Sequence, residues 1–105
     1  QLRDPHRLAH ALRHLGEVHL ELRHFDRAQQ HLREAVDRYR SEPDTAPLDL
    51  ANAVRPLASC LERQGADDEA RACWVEARDL YAALGLDAGV AECATGVLRL
   101  EPRPS

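Results

Sequence analysis

The sequence predicts an all-α fold of two helical hairpins followed by a fifth helix, and three observations predict it. Apolar residues recur at spacings of three and four along most of the chain, and no stretch alternates with period two. Clusters of Gly, Pro, Ser and Asp interrupt that pattern at short intervals, so consecutive helices run antiparallel. The chain also repeats itself. Shifted by 42 residues, "ALRHLGEVHLELRHFDRAQQHLREAVDRY" falls on "AVRPLASCLERQGADDEARACWVEARDLY".

The first helix opens on Asp4, a good N-cap, and Pro5, a good first-turn residue. Leu8, Ala11, Leu12, Leu15, Val18, His19 and Leu22 then read as one core face. Phe25, Ala28, Leu32, Ala35, Val36 and Tyr39 mark the second helix, which completes a hairpin over 5–40. The segment 41–47, "SEPDTAP", is the clearest linker. Leu48, Leu50, Ala51, Val54, Leu57, Ala58 and Leu61 mark a third helix ending near Gly65. Asp67 or Asp68 is placed to cap a fourth, carrying Ala70, Cys73, Trp74, Ala77, Leu80 and Tyr81 and stopped by Gly85, so the second hairpin spans 48–84. Asp87 is placed to cap the fifth, capping helix over 87–100, and 101–105 is a tail.

At 105 residues the chain suits a single domain. All 14 basic residues are Arg, the net charge is −4 and only four residues are aromatic, so neither a basic patch nor a base-stacking platform points to nucleic acid. No apolar run reaches the ~20 residues of a membrane span. Cys60, Cys73 and Cys93 are odd in number and form no C-x-x-C, which reads as reduced core thiols in a cytoplasmic protein. The first residue is Gln1 rather than Met, so the chain reads as a piece of a longer protein.

Within the repeat the small residues matter most. Gly16 and Ala58 fall where two helices of a hairpin approach closely, and Ala28 and Ala70 supply the other side. The first copy reads Leu12-x2-Leu15-Gly16-x2-His19, then Ala28-x3-Leu32-x2-Ala35. The second reads Val54-x2-Leu57-Ala58-x2-Leu61, then Ala70-x3-Trp74-x2-Ala77. This resembles the tetratricopeptide repeat (TPR) family, in a long form with a period near 42 residues. Gly becomes Ala in the second copy, and the proline that often closes such a repeat is missing. The second copy is also similar to the C-terminal repeats of multidomain, ATPase-type transcription regulators of high-G+C bacteria.

The resemblance implies a right-handed α-solenoid that binds a protein or peptide segment, as one module of a larger cytoplasmic regulatory or signalling protein. It implies a concave groove lined by the first helix of each hairpin. The groove residues are then His10, Arg13, His14, Glu17 and Glu21, with Asn52, Arg55, Ser59, Glu62 and Arg63, and with Glu92, Thr95 and Arg99 from the fifth helix. Pro56 falls among them, inside a helix where it removes the bond to the Asn52 carbonyl. The clamp that holds chaperone tails is not reproduced, because Glu17 stands where that pattern has asparagine. A rival expectation from another class is self-association through the apolar ends of a short stack.

His6, His10 and His14 recur every four residues, a spacing that suits a metal pair on a helix, with Glu17 as a third ligand to His10 and His14. The same spacing is met by any residue type on one helix face, and a solvated or partner-binding face is the preferred reading. No metal or other cofactor is expected. His19 sits where the family pattern has tyrosine and reads as a packed core histidine. No serine elbow, phosphate loop or H-E-x-x-H motif occurs, so no enzyme activity is expected.

Overall fold

A computed structural model describes residues 4–102. Five α-helices follow one another: α1 (Pro5–Glu21), α2 (Phe25–Ser41), α3 (Pro47–Arg63), α4 (Asp67–Ala83) and α5 (Asp87–Arg99). Among the described residues there is no strand. Each helix packs on the next in sequence, and α1 touches α3 only lightly, so the chain is an all-α stack of helical hairpins. The stack is elongated, 58 × 32 × 20 Å. No described helix is long and apolar enough to cross a membrane.

The repeat is visible in the helix bounds. The first four helices are each 17 residues long, and Pro5 and Pro47 open α1 and α3, which with α5 are the inner helices, α2 and α4 being the outer ones. Asp4 caps α1 as expected, its carboxylate accepting the His6 N–H at 2.9 Å. Asp67, Asp68 and Asp87 do not act as caps. They lie inside the first turns of α4 and α5, whose capping positions are Ala66 and Leu86. There the carboxylates favour the helix dipole, worth ~0.3–1 kcal/mol. The linker proves shorter than expected, because α2 takes in Ser41 and α3 begins at Pro47. Gly65 and Gly85 supply the positive φ of their turns, and Arg23 takes the same conformation at φ 63° after α1.

Packing depends on small residues set against large ones. A Cβ added at Gly16 would lie 2.5 Å from Leu32 Cγ and 3.4 Å from the Ala28 carbonyl oxygen. On α5, a Cβ at Gly89 would lie 2.6 Å from the Tyr81 ring, and one at Gly96 would lie 2.5 Å from the Trp74 ring. Ala51 and Ala58 are fully buried in α3 between them. Small residues seven apart thus recur on the inner helices, and Leu32/Tyr39 and Trp74/Tyr81 are large residues seven apart on the outer ones. Seven residues are about two helical turns, so each pair stays in register along one face.

The expected core face of α1 divides in two. Ala9 and Gly16 are buried and Leu12 packs on the core, whereas Leu8, Leu15, Val18 and Leu22 are 42–57% exposed. Two apolar seams side by side on one helix read as a single broad stripe in sequence. Pro56 is buried within the stack and does not line the groove, contrary to expectation. The α-helix continues through it.

Replacing Gly96 by Ala tests the packing. Alanine gains up to ~1 kcal/mol in helix propensity, but its methyl meets the rigid indole of Trp74, and overpacking costs ~1–3 kcal/mol. The second effect wins, so urea unfolding of Gly96→Ala shows a net loss of about 1 kcal/mol.

Candidate functional site

The site begins with two tyrosines of the outer helices. Tyr39 and Tyr81 are almost fully buried, yet each hydroxyl reaches polar residues of an inner helix. The Tyr81 hydroxyl donates to Asn52 Oδ1 at 2.6 Å and accepts from Arg55 Nε at 3.1 Å. The Tyr39 hydroxyl pairs with His10 Nδ1, and its ring lies 5.4 Å from the imidazole. Burial pushes the Tyr39 phenol above its ordinary pKa, while the Arg13 guanidinium beside it acts in the opposite direction. His10, Arg13 and Tyr39 occupy the repeat positions of Asn52, Arg55 and Tyr81. The same three-residue arrangement is therefore built twice.

The two copies differ in one donor. Arg55 Nε has its acceptor in Tyr81, but Arg13 Nε is buried with no hydrogen-bond partner. The other such atom among the described residues, Arg71 Nε, belongs to the outer helix α4.

Charges then link the inner helices. Arg13 pairs with Glu17 at 3.5 Å on α1, and the Glu17 carboxylate also acts on Arg55 of α3. Arg55 faces Glu92 of α5 at 3.6 Å. Glu62 of α3 accepts two bonds from Arg99 of α5, at 2.8 and 2.9 Å, and a third from Trp74 Nε1 at 3.0 Å. These bonds, the Arg99 pair foremost, hold the Glu62 carboxyl below the usual carboxylate range. The Arg99 guanidinium also lies 5.8 Å from the centre of the Trp74 ring.

The expected residues are thus distributed unevenly. Arg13, Glu17, Arg55, Glu62, Glu92 and Arg99 form the paired strip. His10 and Asn52 turn toward the tyrosines. His14 and Glu21 are exposed on the same helix, with His14 Nδ1 3.6 Å from Glu17. Ser59 is half-buried, and Thr95 donates to the Ala91 carbonyl within its own helix. Arg63 leaves the strip and lies 5.6 Å from the Phe25 ring centre at the α1–α2 turn. Tyr39 and Tyr81 were missing from the sequence-derived site. Their signal was the 42-residue correspondence that also pairs Arg13 with Arg55.

His10, His14 and Glu17 do not assemble as ligands, because His10 is engaged by Tyr39. Among the described residues no group of three or more His, Cys, Asp and Glu side chains is arranged to hold a metal. His19 is half-exposed rather than packed in the core. Its ring stacks on His31 at 5.4 Å, and its Nδ1 lies 3.4 Å from that of His24. Partial desolvation and then these two neighbours hold its imidazole below the ordinary value. Burial pushes the Cys73 and Cys93 thiols up to about 11 and raises Cys60 as well, so all three stay protonated and weakly nucleophilic at neutral pH.

The Glu62–Arg99 pair gives a signed pH dependence. A carboxyl depressed in the folded state contributes stability above its ordinary pKa of 4.5, lost as pH falls through its lower folded value. Glu62→Gln is expected to cost about 1 kcal/mol at pH 7. In urea titrations from pH 7 to 3, the gap between variant and wild type should close below pH 4.5. A gap that stays constant with pH would count against the pair. No protein-family model matches this chain, and no curated protein matches it.

Proposed function

We propose that the chain is a protein- or peptide-binding scaffold module of the tetratricopeptide type, using the groove formed by α1, α3 and α5. One observation carries this reading. An arginine of the groove beside a buried tyrosine hydroxyl is built twice, Arg13 at Tyr39 and Arg55 at Tyr81, so two guanidinium groups stand at equivalent repeat positions. A guanidinium carries five N–H donors, more than these neighbours take, and a ligand acceptor in the groove can meet the others. A backbone carbonyl or a carboxylate of an extended segment is such an acceptor. The strip balances three arginines (Arg13, Arg55, Arg99) against three glutamates (Glu17, Glu62, Glu92). That favours a ligand of mixed charge over a strongly acidic or basic one.

The protonated thiols and the absence of an activated nucleophile among the three cysteines fit binding better than catalysis. A module of a cytoplasmic regulatory protein agrees with the same reduced cysteines.

Selection from a displayed random-peptide library tests the reading. Enriched peptides should bind Arg13→Met and Glu92→Arg on the order of tenfold more weakly, about 1.4 kcal/mol. They should bind Asp79→Arg, on the outer helix α4, as well as wild type. Circular dichroism melts check that all three variants remain folded. Peptides indifferent to Arg13 and Glu92, or an exhaustive selection that enriches nothing, would overturn the groove.

A further inference from the structure

The turn between α1 and α2 carries a polar pair where the equivalent turns are apolar. The turns after α1, α3 and α4 close by the same two backbone bonds. After α1, the His24 N–H donates to the His19 carbonyl at 2.9 Å and the Arg23 N–H to the Leu20 carbonyl at 3.0 Å. The longer-range bond recurs from Ala66 to Leu61 at 2.9 Å and from Leu86 to Tyr81 at 3.0 Å. This motif brings the side chains of its first and last residues together, often as a hydrophobic contact. After α3 and α4 those residues are Leu61 with Ala66 and Tyr81 with Leu86, and Gly65 and Gly85 take the positive φ. After α1 they are His19 and His24, and Arg23 takes the positive φ, a conformation that is free of steric cost only for glycine. Two local rules are set aside together at one turn, which marks a functional demand.

We propose that His19 and His24 form a zinc-binding pair, each ligating through Nδ1. The inference is independent of the groove reading. The two Nδ1 atoms stand 3.4 Å apart. Two nitrogens at ordinary bonding distance from a tetrahedral zinc ion are separated by about 3.4 Å. Ligands at a right angle, as in a square-planar site, would stand about 2.9 Å apart. The observed separation is also longer than the ~2.7–3.2 Å of a good hydrogen bond from nitrogen. It suits a shared ion better than a shared proton.

The separation is set within residues 19–24 by the backbone bond from His24 to His19, whatever else packs on the hairpin. Arg23, Gly65 and Gly85 are all exposed, so these turns lie along one open edge of the stack in every repeat. The His31 ring stacks on His19 at 5.4 Å and steadies it. Partial desolvation, then His31, His24 and Arg27, hold the His19 imidazole below its ordinary pKa, so at neutral pH it is in the neutral form that ligates a metal. Neither imidazole is paired with a carboxylate among the described residues. The pair therefore offers nothing to Mg²⁺ or Ca²⁺, which take oxygen ligands. His31 is not arranged as a third ligand, and water fills the two remaining positions around zinc.

Isothermal titration calorimetry of the whole, tag-free chain with zinc chloride tests the pair. Half the free energy of a four-ligand zinc site corresponds to a Kd on the order of 10 µM, at one ion per chain. His24→Ala, at an exposed position, should bind at least about tenfold more weakly, with an unchanged circular dichroism melt in the absence of zinc. His14→Ala, on the groove side of α1, should bind as wild type. Long-range proton–nitrogen spectra of the zinc-loaded chain should show both rings ligated at Nδ1, with the proton on Nε2. No saturable binding up to about 1 mM zinc, a hundred times that Kd, would overturn the proposal. So would an affinity that survives His24→Ala, ligation through Nε2, or displacement of zinc by an equal concentration of Mg²⁺.

Discussion

The stack rests on a steric constraint: small residues on the inner helices against large ones on the outer helices, seven positions apart in both. Gly16 against Leu32, Gly89 against Tyr81 and Gly96 against Trp74 leave no room for a methyl group. Close approach allows each outer helix to touch the inner helix on either side of it, and α2 and α4 have no free face left to bury. The cost is borne locally. Glycine inside a helix is ~1 kcal/mol worse than alanine. It persists at these places because a larger residue would separate the helices and forfeit burial along both seams.

The same constraint builds the site. A tyrosine ring wedged between two close helices buries its apolar body and extends its hydroxyl beyond the seam. Tyr39 and Tyr81 do this at equivalent positions, and their hydroxyls fix His10 on one inner helix, and Asn52 and Arg55 on the next. Groove arginines that would otherwise sample many rotamers are thereby held by the core. Packing and the polar chemistry of the groove belong to one set of contacts here. A change at Tyr81 would disturb both, whereas a change at exposed Glu92 would disturb only the pairing with Arg55.

Helices, turns and the repeat were legible in the sequence because they depend on local rules: period, Gly and Pro placement, and the Asp4 cap. What it hid depends on neighbours. Leu8 and Leu12 share a period and differ in whether a helix lies opposite, so the α1 stripe looked like one face. His19 stands where a core aromatic was expected, but at the end of α1 it meets His24 and His31 instead. Pro56 was placed in the groove by its spacing, and three-dimensional packing buries it. The tyrosines were read as core, which they are, because a burial pattern cannot reveal where a hydroxyl emerges. Groove pairs such as Arg55–Glu92 join helices more than 30 residues apart and leave no local trace.

The groove is therefore only as complete as α5. That helix is 13 residues long, the shortest of the five, and contains two glycines that disfavour an isolated helix by ~2 kcal/mol. It packs chiefly on α4, where Cys93 and Val97 are buried, and meets α3 through the Arg55–Glu92 and Glu62–Arg99 pairs. A short, glycine-bearing helix with few buried residues opens at lower cost than α2, α3 or α4, which bury more. Its opening would remove Glu92 from Arg55 and Arg99 from Glu62 together, and would uncover Trp74. A ligand that touches α5 and α3 at once would oppose that opening by its own binding energy. For the proposed scaffold, groove binding and the docking of α5 are in this sense one equilibrium, coupled through the same two ion pairs.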